Sequence, residues 1–310
     1  MPRPLPAASA LLLLLLAAPA AGAGKAEPAS PRLDGPGLAA VKARSIGPAV
    51  MSGRVADVAL DPRDPETFYL ALATGGVWKT SNGGDSFAPV FDKEPVLSAG
   101  AVTVSPADSR VVWVGTGEAT DRNSAGFGNG VYRSEDGGET WTRAGLPASR
   151  AVARIVPDPA DSKAAFACAR GDLWGPGGER GVFHTTDAGK TWRRVLAAPA
   201  PHDKLTGCAD LAADPGDGKV LYAALYARRR TPWSFEYGPA LTGGADVGGI
   251  FKTTDGGTTW TKLAGGLPSR TGNVGLAVAQ SDPRVVMAVV QSDEGGTSSI
   301  EEIMTRAGGV

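Results

Sequence analysis

Four copies of one eight-residue phrase recur along the chain: TSNGGDSF at 80–87, SEDGGETW at 134–141, TTDAGKTW at 185–192 and TTDGGTTW at 253–260. Each follows a short β-type run (GVWK, GVYR, GVFH or GIFK), so the local unit reads strand, tight turn, strand. The paired glycines, replaced by Ala188-Gly189 in the third copy, permit positive φ in a tight hairpin. The side chain of Asn82, Asp136, Asp187 or Asp255 is suited to accept backbone N–H groups of its own turn, and the leading Ser or Thr hydroxyl to support it. The closing Phe87, Trp141, Trp192 or Trp260 offers a large aromatic face to the neighbouring strands. Residues present in every copy build the repeat rather than perform chemistry.

A longer repeat surrounds the phrase. Its first half is an apolar run, a turn and a second apolar run: DVALDPRDPETFYLALAT (57–74), AVTVSPADSRVVWVGTGE (101–118), RIVPDPADSKAAFACARG (154–171), DLAADPGDGKVLYAALYA (210–227) and GLAVAQSDPRVVMAVVQS (275–292). Each full unit thus offers four short strands, A to D, expected in the first unit at 55–60, 68–73, 76–79 and 86–91. The β-branched residue of strand C falls at Val77, Val131, Val182 and Ile250, spacings of 54, 51 and 68 residues. Four strands at that period predict an all-β chain of β-propeller blades, four complete and a fifth partial, over residues 44–310. The fifth unit ends on Gly308-Gly309-Val310, which matches the Gly75-Gly76-Val77 opening of strand C, so the reading expects a piece of a larger propeller.

The pattern S/T-x-D-x-G-x-T-W resembles the Asp-box, or BNR, repeat of sialidases, sortilin-type receptors, xyloglucanase-type glycoside hydrolases and photosystem assembly propellers. The fuller pattern is similar to large exported bacterial repeat proteins of sortilin-like, glycosyl-hydrolase-like or YVTN/BNR-like type. The stretches SIGPAVMSGRV (45–55), WVGTGE (113–118), LWGPGGERGVF (173–183) and RRRTPW (228–233) carry that resemblance, which runs from Arg44 to the end. It is specific for fold and weakly specific for function.

The N-terminus reads as an address rather than as fold. Arg3, the apolar stretch 11–18 and the small-x-small site Ala21-Gly22-Ala23 make residues 1–23 a cleaved secretory signal, too short and too interrupted for a membrane span. Residues 24–43, rich in Pro, Gly and Ala, read as a linker. Export to a periplasm or the outside is expected, with no membrane span in the mature chain. Cys168 and Cys208 would then sit where a disulfide is permitted; two small buried residues is the other reading.

Lys and Arg (31) nearly balance Asp and Glu (32), so no overall field points to nucleic acid. Two cysteines and two histidines leave little for a metal site, and neither metal nor cofactor is expected. The Asp-box turn supplies one carboxylate where calcium wants several oxygens.

With A–B and C–D turns at one end of the blades, the B–C loops share the other. These loops, 118–129, 171–180, 227–248 and 292–307, are long and unlike one another, and variable loops on a repeated scaffold are where binding sits. GTGEATDR offers Glu118 and Asp121 as candidate acid and base with Arg122 beside them, or else Glu118 and Arg122 paired with each other or with neighbouring blades. LWGPGGER brings Trp174 near Glu179 and Arg180, a sugar-stacking platform or a plug between blades. ARRRTPWSFEY sets Arg228, Arg229 and Arg230 beside Trp233, which suits an acidic glycan, carboxylate or acidic peptide; a solvated or paired basic loop is the plain alternative.

A glycosidase needs two carboxylates flanking the bond. Similarity to xyloglucanases implies an Asp just before the Gly-Gly of an early strand C, and Ala73 stands there. The sialidase Arg-Ile-Pro segment finds only Arg44-Ser45-Ile46-Gly47-Pro48. G-x-S-x-G, phosphate-loop and zinc-type spacings are absent from the sequence. These residues favour an exported, non-catalytic scaffold binding a protein, peptide or glycan through its B–C loops. A glycoside hydrolase with carboxylates partly outside this chain, and a cell-envelope assembly factor, are the alternatives.

Overall fold

A computed structural model describes residues 53–268 and 271–292, all within the compact unit Val50–Val310. The signal and linker expected at 1–43, the segment 44–52, most of the fifth B–C loop and Gly308-Gly309-Val310 lie outside the described residues.

Four sheets of the repeat appear in order. The first blade is β1 (Val55–Asp61), β2 (Asp64–Leu72), β3 (Gly76–Thr80) and β4 (Ala88–Pro89), hydrogen-bonded in that order. The second is β5 (Ala99–Val104), β6 (Val112–Thr116), β7 (Val131–Ser134) and β8 (Thr142–Arg143). The third is β9 (Val152–Pro157), β10 (Ala165–Ala169), β11 (Gly181–Thr185) and β12 (Arg193–Leu196). The fourth is β13 (Thr206–Ala213), β14 (Leu221–Arg230), β16 (Gly249–Thr253) and β17 (Thr261–Lys262), with β15 (Phe235–Tyr237) pairing the far end of β14. A two-stranded fifth sheet holds β18 (Val274–Val278) and β19 (Val286–Val290). The fourth B–C loop is therefore partly a β-hairpin, and the first D strand is shorter than its apolar run suggested.

The eight-residue turn locks itself. Ser134 Oγ donates to Asp136 Oδ1 at 2.7 Å and accepts from the Gly138 N–H, while Asp136 accepts from the Thr140 N–H and hydroxyl at 2.9 and 2.5 Å. Thr185/Asp187/Thr191 and Thr253/Asp255/Thr259 repeat the set. Where Asn82 replaces the acid, its amide donates to Ser86 Oγ instead, so the bond survives with reversed polarity. These bonds hold the carboxyls of Asp136, Asp187 and Asp255 near 2, the Thr140, Thr191 and Thr259 hydroxyls contributing most. Ala188 adopts φ 65°, a left-handed conformation that glycine takes without strain and that the lock imposes here on a residue with a Cβ.

Each box also fastens to the A–B turn of its own blade: Gly83, Gly137, Ala188 and Gly256 donate N–H bonds to the carbonyls of Glu66, Arg110, Lys163 and Lys219. Boxes and A–B turns thus share one end of every blade, and the B–C loops occupy the other.

Packing between blades rests on the box aromatic. Trp141 packs into the cluster shared by the first and second blades, Trp192 into that of the second and third, and Trp260 into that of the third and fourth. The Trp141 and Trp192 indole N–H groups each donate at 2.7 Å to a carbonyl of the preceding blade, Val90 and Ala144. Phe87, at the same position of the first box, is exposed, and so is β1 beside it: Val58 is 47% exposed where its counterparts Val102, Ile155 and Leu211 are each 2%. The outward face of β19 is bare in the same way, with Val289 at 75% where the matching Ala71, Cys168 and Ala224 are fully buried.

Two further links cross blade boundaries. Cys168 on β10 and Cys208 on β13 form a disulfide, joining the third and fourth blades; closing a loop of that size is worth roughly 4 kcal/mol. On the inner strands, Asp57 and Asp210 accept N–H bonds from Val102 and Leu276 of the next blades, and Arg154 donates to both carboxylates at 3.0 and 3.1 Å. One guanidinium so ties the first, third and fourth blades together.

The aromatic peg gives a direct test. Trp192→Ala is expected to lower unfolding stability by about 3 kcal/mol in urea titration, and Phe87→Ala by less than about 1 kcal/mol. Equal losses would contradict the inter-blade role.

Candidate ligand-binding face

The B–C loop face is built by loop 118–129 reaching from the second blade to the third and fourth. Its first residue, Glu118, follows β6 and is buried, its side chain 1% exposed. Arg54 clamps it with two hydrogen bonds, Nε to Oε1 at 3.0 Å and Nη2 to Oε2 at 2.5 Å, and Thr120 Oγ1 adds a third at 2.7 Å. Burial alone would raise this carboxyl; the bonds from Arg54 and Thr120 together outweigh it and hold Glu118 below the ordinary glutamate value.

Asp121 sits at the hub of a second cluster. Arg228 Nη1 donates to its Oδ1 at 2.7 Å, Arg170 Nη2 reaches both oxygens at 3.3 and 3.4 Å, and the Tyr226 hydroxyl approaches at 3.4 Å. The Asp121 carbonyl accepts from Arg230 Nε and Nη2, and the Thr120 carbonyl from Arg228. Arg170 also donates to Asn273 Oδ1 at 3.0 Å, bringing in the fifth blade, and stands over the Tyr226 ring.

The other basic candidates divide by environment. Arg180 is fully buried and spends its guanidinium on the carbonyls of Arg170, Asp172, Gly175, Gly177 and Leu205; it organises loop 171–180 and offers no surface to a ligand, a correction to its candidacy. Arg228, 1% exposed, is paired between blades with Asp121, the paired alternative for this basic loop. Arg229 pairs with Glu236 across the β14–β15 hairpin at 2.6 Å, and Arg230 lies over Phe235. Arg122 is exposed and does not appear in the Glu118 clamp.

Two candidate indoles differ in exposure. Trp233 stands 95% exposed on a turn fixed by the Thr231 hydroxyl, which accepts from the N–H groups of Trp233 and Ser234. Trp174 is half-buried in a segment joined to that hairpin through the Arg230 N–H and Leu173 carbonyl. Nearby, Arg150 covers the exposed ring of Phe127.

Arg54, Arg170, Tyr226 and Asn273 were not singled out by the sequence reading. Arg170 and Tyr226 fall one place before the Glu118 position in the repeat alignment, a column filled by Ala73 and Gly117 in the first two units and by Arg170, Tyr226 and Gln291 in the last three, and that change to polar side chains was the available signal. Among the described residues no group of three or more His, Cys, Asp or Glu is arranged to hold a metal, and no helix is long and apolar enough to cross a membrane.

A profile of the family described as "Sortilin, neurotensin receptor 3" matches residues 129–267. In backbone geometry the chain is similar to an ancestral GH74 enzyme, with a TM-score of 0.54 at 19% identity over 78% of this chain and 30% of that one. The described blades carry the Asp-box repeat on a β-propeller fold. Among curated proteins, these blades are similar to a xyloglucanase of a Paenibacillus species, 27% identical over 239 residues, covering 69% of this chain and 21% of that enzyme. A probable oligoxyloglucan-reducing end-specific xyloglucanase of Neosartorya fischeri is 30% identical over 210 residues, covering 64% and 22%. The chain therefore spans about a fifth of the length of these relatives.

Because the folded value of Glu118 is depressed, its contribution to stability is full above the unfolded value of 4.5 and is lost as pH falls through the lower folded value. Glu118→Gln is expected to cost about 1–2 kcal/mol at pH 7 and progressively less below about pH 4. Melting temperatures of both proteins across that range check this; a gap that widens with acid would contradict the clamp.

Proposed function

We propose that this chain is an exported propeller module that captures a glycan or peptide on its B–C loop face without cleaving it. The commitment of Glu118 and Asp121 to arginines carries this reading. A glycosidase needs one carboxyl that stays protonated near neutrality and a second free to attack or to activate water. Glu118 is depressed rather than raised, and Asp121 is gripped by Arg170 and Arg228. Trp233 and Trp174 on the same face are suited to stack on a sugar ring or an apolar side chain. Glycan is the first ligand to try, since the curated relatives are xyloglucanases.

A second reading keeps those relatives' activity: a glycoside hydrolase whose catalytic carboxylates are other than Glu118 and Asp121. Affinity electrophoresis of the full chain in xyloglucan gels, with a reducing-sugar assay alongside, separates the two. Capture predicts retardation, no sugar release, and roughly tenfold weaker retention for Trp233→Ala at unchanged melting temperature. Release of reducing sugar would establish the hydrolase; no retention by xyloglucan or by a peptide panel would sink the capture reading.

Export is supported by the leader-like N-terminus and by the buried Cys168–Cys208 bridge, which suits an oxidising compartment. Protein isolated from the exported fraction is expected to begin at Gly24 and to carry no thiol reactive to maleimide after denaturation. An intact Met1 with two free thiols would contradict it.

A further inference from the structure

Around Asp121 the charges do not balance. Arg170 and Arg228 are 5% and 1% exposed, and Arg180 behind them is fully buried. Asp121 is the carboxylate that bonds to the first two; Asp172 acts on Arg180, and Glu118 is committed to Arg54. Burial and the neighbouring Arg170 both push the Arg228 guanidinium down from its ordinary value. A surplus of buried positive charge is costly and persists where an anion completes the site.

The hydrogen-bonding inventory agrees. Arg170 Nε and Arg228 Nε are buried and have no partner among the described residues. Asp121, tethered to its loop, makes one short bond to Arg228 and only long ones, 3.3–3.4 Å, to Arg170 and Tyr226. It underfills a site with more donors than it satisfies. Its side chain is also the partly exposed member, 19% against 6% and 1% for Arg170 and Arg228, so it is the one of the three that solvent reaches.

We infer that the Arg170–Arg228 pair is a receiving site for a carboxylate carried on a saccharide chain, held in the free protein by the chain's own Asp121, which the ligand group displaces. The inference rests on the capture reading above and names the ligand chemistry of that face. A planar carboxylate free of a tether can take two parallel guanidinium N–H bonds, the geometry arginine is built for. Release of Asp121 would free its side chain, while the Glu118–Arg54 clamp and the Arg228 and Arg230 bonds to the Thr120 and Asp121 carbonyls keep the loop backbone in place. The indoles on the neighbouring loops would meet the sugar rings that follow.

Trigalacturonate is the probe, with a neutral xyloglucan heptasaccharide as control, both measured by calorimetry on the full chain. Asp121→Asn removes the internal competitor. It is expected to melt lower than the parent, to bind trigalacturonate about tenfold more tightly than the parent does, and to recover its melting temperature as trigalacturonate is added. Asn273→Asp brings a second carboxylate to Arg170, and is expected to melt higher and lose trigalacturonate binding. Arg170→Lys keeps the charge but loses the fork, and is expected to bind at least tenfold more weakly. If Asp121→Asn binds no better and the probe does not restore its melting temperature, or if Asn273→Asp binds as the parent does, the inference is overturned. Binding of a peptide C-terminal carboxylate in place of trigalacturonate would overturn the saccharide assignment. Neutral heptasaccharide binding, read separately, reports on the capture reading itself, so the two fail independently.

Discussion

A four-stranded blade has two apolar faces and can bury neither alone, so everything in this chain depends on how one blade is pinned to the next. The pin is the box aromatic. A hydroxyl–carboxylate lock folds eight residues into a rigid turn, and the turn projects an indole into the hydrophobic cluster it shares with the preceding blade. The indole N–H then finds a carbonyl there, at Val90 or Ala144, so one residue supplies both apolar area and a directed bond. The behaviour of the first box, where Phe87 has no blade before it among the described residues and stays exposed, shows how completely the motif serves its neighbour.

That division of labour frees the opposite end. Box and A–B turns are bonded to each other at every blade, so they vary little and the sequence can repeat them. The B–C loops carry no such duty and differ in length, fold and charge. Loop 118–129 bridges blades, loop 171–180 wraps around the Arg180 guanidinium, and the fourth loop extends as the β14–β15 hairpin. Three blades thereby meet at one carboxylate, Asp121, which could not happen on a face held by uniform turns.

The repeat was legible in the sequence because its causes are local. Glycines, Asx residues and alternating apolar runs act within a few positions of themselves, so strands, turns and the blade period could be read off directly. The loop face was legible as a location and not as a circuit. Glu118, Asp121 and Arg228 could be named, but their inter-blade side-chain partners lie 49 to 107 residues away, and pairing at that distance is set by blade stacking rather than spacing. Arg180 escaped for a different reason: its five carbonyl partners are main-chain atoms, which no side-chain pattern announces. The Arg154 bridge between Asp57 and Asp210 left a trace, since all three occupy one column of the repeat alignment, charged residues at the head of otherwise apolar inner strands.

The central claim is that binding belongs to the loop face and that the boxes are structural. Hydrogen–deuterium exchange of the full chain, with and without xyloglucan oligosaccharide, addresses it most directly. The account predicts added protection in 118–129, 171–180 and 227–248, with the box turns at 134–141, 185–192 and 253–260 unchanged. Protection confined to the box turns would contradict it.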